Sequence, residues 1–248
     1  MSSNRVEKIK YDLVSPFGPS IMIGTMPDSI YDEFSKIIYG VIEEKERSHA
    51  KQLSGRIEDE WTVDRRHLFE TRTEEFMSNI VNKYCVDLLE RLYKTKAWSE
   101  DDVNVEESSN IPLNILNTGG WVNNMKNYEY NPVHYHPFCN ITTVFYFNTV
   151  DGDFLKEIIA PKNTERNHNA PSSVPGNTDD GLLEIIYNSS NYFQLGVLRV
   201  QPKEKQFLVF PANLLHQVYP FISNEKRVSA SFNFQVNGDS QIINYGAR

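Results

Sequence analysis

Cysteine is scarce. Cys85 and Cys139 are the only two in 248 residues. Two thiols cannot build a disulfide framework or a cysteine-based zinc site. A reduced, cytoplasmic setting is the expectation. No apolar run approaches the roughly 20 residues that a membrane-spanning helix needs. The segment Met1–Tyr11 is polar and lacks the apolar stretch of a signal peptide, so no membrane partner is expected. Positive charge is in deficit, with 25 Lys and Arg against 33 Asp and Glu and a net charge of −8. That deficit argues against a general affinity for nucleic-acid phosphates. There is no internal repeat, no low-complexity tract and no βαβ alternation, which sets aside a Rossmann-type sheet.

What is present describes a globular chain, with 40% apolar and 12% aromatic residues. Residues 1–110 carry 15 basic and 22 acidic side chains, and residues 111–248 only 10 and 11. Near residue 110 charge gives way to β-branched and aromatic residues. The sequence therefore predicts a helix-rich part over 1–110, a strand-rich core over 111–236 and a tail over 237–248, all in a single domain.

Apolar residues at spacings of three and four predict one helix from Ile30 to Ile42, capped by Asp28, and a second over 74–97. The second has a stripe running from Phe76 through Ile80, Val81, Tyr84 and Cys85 to Leu92. Ile21–Ile23 reads as a short strand. Residues 43–72 are highly charged, with a break at Leu53–Gly55. After Asn110, strands are expected at 113–116, 120–126, 133–136, 140–148, 154–160, 183–188, 195–201, 206–210, 215–219 and 226–236. Turn signals such as Gly119-Gly120 and Pro202-Lys203 separate them. Many short strands at close spacing imply an antiparallel sandwich or barrel. Residues 161–181 hold three prolines and four asparagines with almost nothing apolar. A loop of that length is a flap over a site or an insertion without a direct role.

Three of the six histidines are well placed. His134 and His136 lie in Asn131-Pro-Val-His-Tyr-His-Pro137. Residues i and i+2 of a strand share a face, so both imidazoles can converge on one ion. His216 begins a further apolar strand. Imidazole suits iron, zinc, copper or nickel. The bland alternative is three unrelated structural histidines. The last strand sharpens the choice. Arg227, Ser229, Ser231 and Asn233 alternate with Val228, Ala230, Phe232 and Phe234. A polar face of one guanidinium and small hydroxyl and amide groups can line a barrel and bind a carboxylate. His49, His67 and His168 lack a partner pattern and read as surface residues. Cys139 has the parity opposite to His134 and His136 and is not read as a ligand. Trp61, Trp98 and Trp121 could be sugar platforms, but core positions are commoner for tryptophan.

These motifs, NPVHYHP followed by TTVFYFN, then FLVFPANLLHQV, then RVSASFN, resemble the iron(II)- and 2-oxoglutarate-dependent oxygenases, in particular a branch from bacteria and marine phages. The resemblance covers roughly residues 113–236. It implies a mostly β fold with flanking helices, a double-stranded β-helix (jelly-roll, cupin-like) barrel packed on N-terminal helices. It implies that His134, His136 and His216 bind Fe(II). Arg227, helped by Ser229, would bind the remote carboxylate of 2-oxoglutarate, with Asn123 and Tyr146 as further cosubstrate contacts. Dioxygen would be the oxidant, succinate and CO2 the products, and a small molecule or a protein side chain the hydroxylated substrate. One feature departs from the family, because most members have Asp or Glu where this chain has His136; three-histidine ligation is the leading reading, and the alternative is that only one of His134 and His136 binds the metal while the other contacts substrate. Two rivals stand beside this reading. One is a cupin-like three-histidine metalloenzyme without 2-oxoglutarate, in which Arg227 has no required role. The other is a non-catalytic jelly-roll binding or structural module. The helix-rich part allows a homodimer.

Overall fold

The computed structural model describes residues 10–14, 19–48, 56–95, 113–150, 181–187, 196–221 and 223–237. The expected strand at 154–160 and residues 161–180 of the expected flap lie outside them, as do His49, Trp98 and His168. Among the described residues, eleven strands and three helices follow in the order β1 (Lys10–Val14), β2 (Ile21–Thr25), α1 (Asp28–Glu44), β3 (Glu60–Val63), α2 (Arg65–Leu68), α3 (Arg72–Thr95), β4 (Asn114–Met125), β5 (Asn131–His134), β6 (Ile141–Asn148), β7 (Leu183–Ile186), β8 (Val197–Val200), β9 (Gln206–Pro211), β10 (Leu215–Val218) and β11 (Arg227–Asn237).

The strands form two antiparallel sheets. One has seven strands in the order β1-β2-β9-β6-β11-β4-β3, the other four in the order β5-β10-β7-β8. From β4 onward the chain passes back and forth between them. β4, β6, β9 and β11 interleave in the large sheet, and β5, β7, β8 and β10 form the small one. This winding is a double-stranded β-helix, or jelly roll. Among the described residues no helix is long and apolar enough to cross a membrane.

The large sheet is buried on both faces, and alternation decides which residue goes where. Phe145, Phe147, Phe207, Val228, Ala230, Phe232 and Phe234 pack outward against Phe34 and Ile38 of α1 and Met77, Ile80 and Tyr84 of α3. Val144, Tyr146, Leu208 and Phe210 point inward, toward Leu183, Ile185 and Val200 of the small sheet. α1 buries Ile30, Phe34, Ile38 and Val41, the spacing that its sequence predicts. Asp28 is its first helical residue rather than its cap. Pro27 occupies the cap position without a side-chain hydrogen bond, and Asp28 accepts from Lys205 Nζ at 2.9 Å. α3 starts at Arg72, where Thr71 Oγ1 accepts the Glu74 N–H at 3.1 Å. Glu33 of α1 accepts both the N–H and the hydroxyl of Thr73 at 2.9 Å, which ties the two helices.

Other features of the fold also differ from the sequence expectation. β1 and β3 are additional strands, and α2 is an additional short helix. The expected turn at Gly119-Gly120 is instead continuous strand: β4 runs from Asn114 to Met125, with a bulge where Asn233 pairs Gly119 and Phe234 pairs Asn117. Gly119 has φ 148°, a conformation glycine adopts without penalty. A Cβ on Gly120 would stand 2.2 Å from the Phe232 ring, so the glycine is required by that close approach.

Candidate active site

β5 and β10 lie side by side with His134 directly opposite His216. The sequence predicts a strand through His136, but β5 ends at His134. His136 lies beyond it, just before the turn at 137–138, and is fixed by its own N–H, which donates to Ala212 O at 2.9 Å. The three imidazoles nonetheless converge. Their ligand nitrogens all lie within 4.8 Å of one another. Ring centroids are 4.2 Å apart for His134 and His216 and 4.9 Å for His136 and His216. Trp121 stacks on His136 at 5.2 Å, and Phe210 meets His216 edge-on at 5.2 Å. Nothing in the sequence distinguishes Trp121 from an ordinary core tryptophan.

Two backbone carbonyls set the tautomers. His134 Nδ1 lies 2.7 Å from Pro132 O, and His216 Nδ1 lies 2.8 Å from Leu214 O. A carbonyl only accepts, so each Nδ1 carries the proton and each Nε2 presents its lone pair inward. Burial, followed by repulsion from the neighbouring rings, pushes His136 down to about 2. Burial, followed by His134, pushes His216 down to about 3. His134 is also lowered, by burial. All three are therefore neutral at physiological pH, the form in which imidazole binds a metal. His136 Nε2 and His216 Nε2 are 3.0 Å apart. Two nitrogens on bonds of roughly 2.1 Å at right angles stand about that far apart, so the pair suits a divalent cation as well as an N–H···N bond. Glu129, the acid nearest before the motif in sequence, accepts from the Glu58 and Lys126 backbone N–H groups instead.

The same cavity is walled by Asn123, Tyr146, Arg227 and Ser229. Their register brings them together: Ser229 on β11 pairs Asn123 on one side and Tyr146 on the other. Arg227 is 1% exposed. Its Nη1 donates to Ser229 Oγ at 3.1 Å and Met125 Sδ at 3.3 Å. Its guanidinium carbon lies 5.2 Å from the centre of the Tyr146 ring. Among the described residues no carboxylate pairs with it, and burial holds it below the usual arginine range. Among the described residues, Arg227 Nε, Tyr146 Oη and Asn123 Oδ1 are buried and none makes a hydrogen bond of ordinary geometry. Burial raises the Tyr146 hydroxyl, which keeps it a donor. A buried unpaired cation beside orphaned polar atoms fits an anionic ligand with several oxygens. The structure thus gathers all seven sequence-predicted residues at one place.

The other candidates lie elsewhere. Cys139 Sγ donates to His136 O at 3.5 Å, and burial pushes its thiol up to about 11, so it takes no part in the cluster. His67 is not a bare surface residue, since its Nε2 lies 3.2 Å from Glu44 Oε2. Trp61 packs at the edge of the core.

Residues 119–233 match a family described as "Putative 2OG-Fe(II) oxygenase". The matched segment contains all seven residues. No curated protein matches the chain. Among solved structures, a prolyl-4-hydroxylase of Pseudomonas putida is similar at 10% identity, with 91% of each chain covered and a TM-score of 0.49. A prolyl hydroxylase of Trichoplax adhaerens, in complex with a hypoxia inducible factor peptide fragment, is similar at 13% identity, over 96% of this chain and 87% of the other, with a TM-score of 0.49. An oxidoreductase of the 2OG-Fe(II) oxygenase family from Burkholderia pseudomallei shows 10% identity and a TM-score of 0.34. Here the match covers 52% of this chain and 48% of the Burkholderia protein.

Proposed function

We propose that this chain is a 2OG-Fe(II) oxygenase, in keeping with the family match over residues 119–233, and that it hydroxylates a small molecule or a protein side chain, with Fe(II) on His134, His136 and His216. The observation that carries this reading is one cavity that joins three neutral imidazoles to a buried arginine with no counter-ion among the described residues. Iron, 2-oxoglutarate and dioxygen supply the oxidising chemistry when bound, with succinate and CO2 released.

The chain's own residues position and shield. The Pro132 and Leu214 carbonyls lock the His134 and His216 rings with Nε2 inward, a second layer that orients metal ligands. Trp121 and Phe210 wall the imidazoles and exclude water from them. Arg227 receives the remote carboxylate of 2-oxoglutarate, and Ser229 Oγ and Tyr146 Oη add hydrogen bonds to it. Three neutral ligands leave the full charge of the metal in place, unlike the two-histidine, one-carboxylate set usual for non-haem iron. That residual charge favours an anionic cosubstrate at the site. The cupin-like alternative leaves Arg227 unexplained. The test is iron stoichiometry and 2-oxoglutarate affinity in His216→Ala and Arg227→Met. Loss of iron in the first and loss of cosubstrate affinity with retained iron in the second support the reading. Retention of both properties in both variants overturns it.

A further inference from the structure

Glu60 is an acid that nothing above employs. It opens β3, the edge strand beyond β4, and is 0% exposed. Among the described residues neither carboxyl oxygen has a hydrogen-bond partner. Directly opposite it on β4 stands Asn123, 6% exposed, with its Oδ1 also unpartnered. Opposed residues of an antiparallel pair share a face with Cβ atoms about 4.5–5.5 Å apart. One row therefore crosses four strands: Glu60 on β3, Asn123 on β4, Ser229 on β11 and Tyr146 on β6. Two groups with orphaned acceptors stand side by side at one end of it. Ser229, which accepts from Arg227, comes next, and Tyr146 closes the row.

An ionised carboxylate without a donor is expensive to bury, and its neutral form removes that cost by offering an O–H. Burial, with Glu129 adding repulsion, pushes Glu60 up to about 7. The nearby cations are engaged elsewhere. Lys126 and Lys226 reach Asp59 at 3.6 and 3.5 Å, Lys126 also reaches Glu58 at 3.2 Å, and Arg227 bonds Ser229. Asp59 and Glu58 are thereby neutralised. Glu129 accepts the Glu58 and Lys126 backbone N–H groups, so no described group donates to Glu60.

We propose that Glu60 is a positioning residue for the cosubstrate: as the neutral acid it donates its O–H to Asn123 Oδ1 and so turns the two Asn123 N–H donors toward the Ser229–Arg227 side of the pocket. The inference rests on the cosubstrate assignment made above. A protonated Glu60 makes Asn123 a donor to the anion. An ionised Glu60 repels Oδ1, and the amide turns over to present an acceptor to that anion. Affinity for 2-oxoglutarate then falls as pH rises through the titration of Glu60. The loss of one donor hydrogen bond corresponds to about tenfold. Glu60→Gln keeps an N–H donor to Oδ1 at every pH and removes the dependence.

The experiment is calorimetric titration of 2-oxoglutarate into the anaerobic Fe(II)-loaded full chain at pH 6 and pH 8.5, for the wild type, Glu60→Gln and Arg227→Met. Support is a wild-type affinity about tenfold weaker at the higher pH, with Glu60→Gln held at the tight value throughout. A flat wild type, or a Glu60→Gln variant that keeps the wild-type dependence, overturns the inference. If Arg227→Met also binds as the wild type does, the cosubstrate assignment itself has failed rather than the role of Glu60. Should Glu60→Gln not fold, NMR of the metal-free wild type decides. A Glu60 carboxyl titrating near neutrality, tracked by the Asn123 amide, supports the pairing; titration in the ordinary carboxylate range refutes it.

Discussion

Replacing Arg227 with Met removes a buried cation while keeping a long, flexible side chain. The account requires opposite effects on stability and on binding. In the metal-free protein the guanidinium is 1% exposed and its Nε–H has no partner. One unsatisfied buried donor costs about 1–3 kcal/mol, and a buried charge without a counter-ion adds to that. Arg227→Met loses the bonds to Ser229 Oγ and Met125 Sδ and the contact of the guanidinium with the Tyr146 ring, which together offset only part of that cost. The variant should therefore be more stable without cosubstrate by about 1–3 kcal/mol, or roughly 2–4 °C in Tm per kcal/mol for a chain of this size. Binding moves the other way. Loss of a bidentate, charge-assisted pair costs about 2–4 kcal/mol, some 30- to 1000-fold in the Kd for 2-oxoglutarate. Differential scanning calorimetry of the metal-free protein reads the first effect, and calorimetric titration of the Fe(II)-loaded protein reads the second. A variant that is destabilised yet binds 2-oxoglutarate normally would show Arg227 to be structural and refute the reasoning.

Three other expectations follow from the same geometry. His216→Ala should lose stoichiometric iron, measured by metal analysis after anaerobic loading, while far-ultraviolet circular dichroism stays unchanged. His136 and His216 are held far below the free imidazole value, at about 2 and about 3. The unfolded chain therefore takes up protons that the folded one refuses, and stability present above about pH 6.5 is lost as pH falls; urea titrations of the metal-free protein at pH 7.5 and pH 5.5 check the sign. Gly120→Ala forces a Cβ to within 2.2 Å of the Phe232 ring and should cost about 1–3 kcal/mol, with part of the loss recovered in the double variant carrying Phe232→Leu.

The site was more legible than the frame that supports it. On β11 both faces are buried, yet their chemistries separate by parity, so Arg227 and Ser229 could be assigned to one face without a fold. The H-x-H pair worked for a different reason. β5 stops at His134, and it is the Ala212 carbonyl that brings His136 round. The strand β3 was invisible because four residues inside a charged run show no usable period. It exists through its pairing with β4. Glu60 went unnoticed with it, since one more acid among Glu58 and Asp59 carries no signal until burial is known. Gly119-Gly120 read as a turn because glycine marks turns and bulges alike. The Phe232 ring that decides between them comes from the far end of the chain. Trp121 beside His136 is likewise a tertiary fact.

The central claim is that one cavity holds a metal on three histidines and 2-oxoglutarate on Arg227. Anaerobic addition of 2-oxoglutarate to the Fe(II)-loaded protein tests both halves at once, through the visible charge-transfer absorption that chelation at an open iron site produces. The account predicts a band that grows to saturation in the wild type, is absent in His216→Ala and needs far more cosubstrate in Arg227→Met. Iron that binds without any band, or a protein that binds no iron at all, would contradict it.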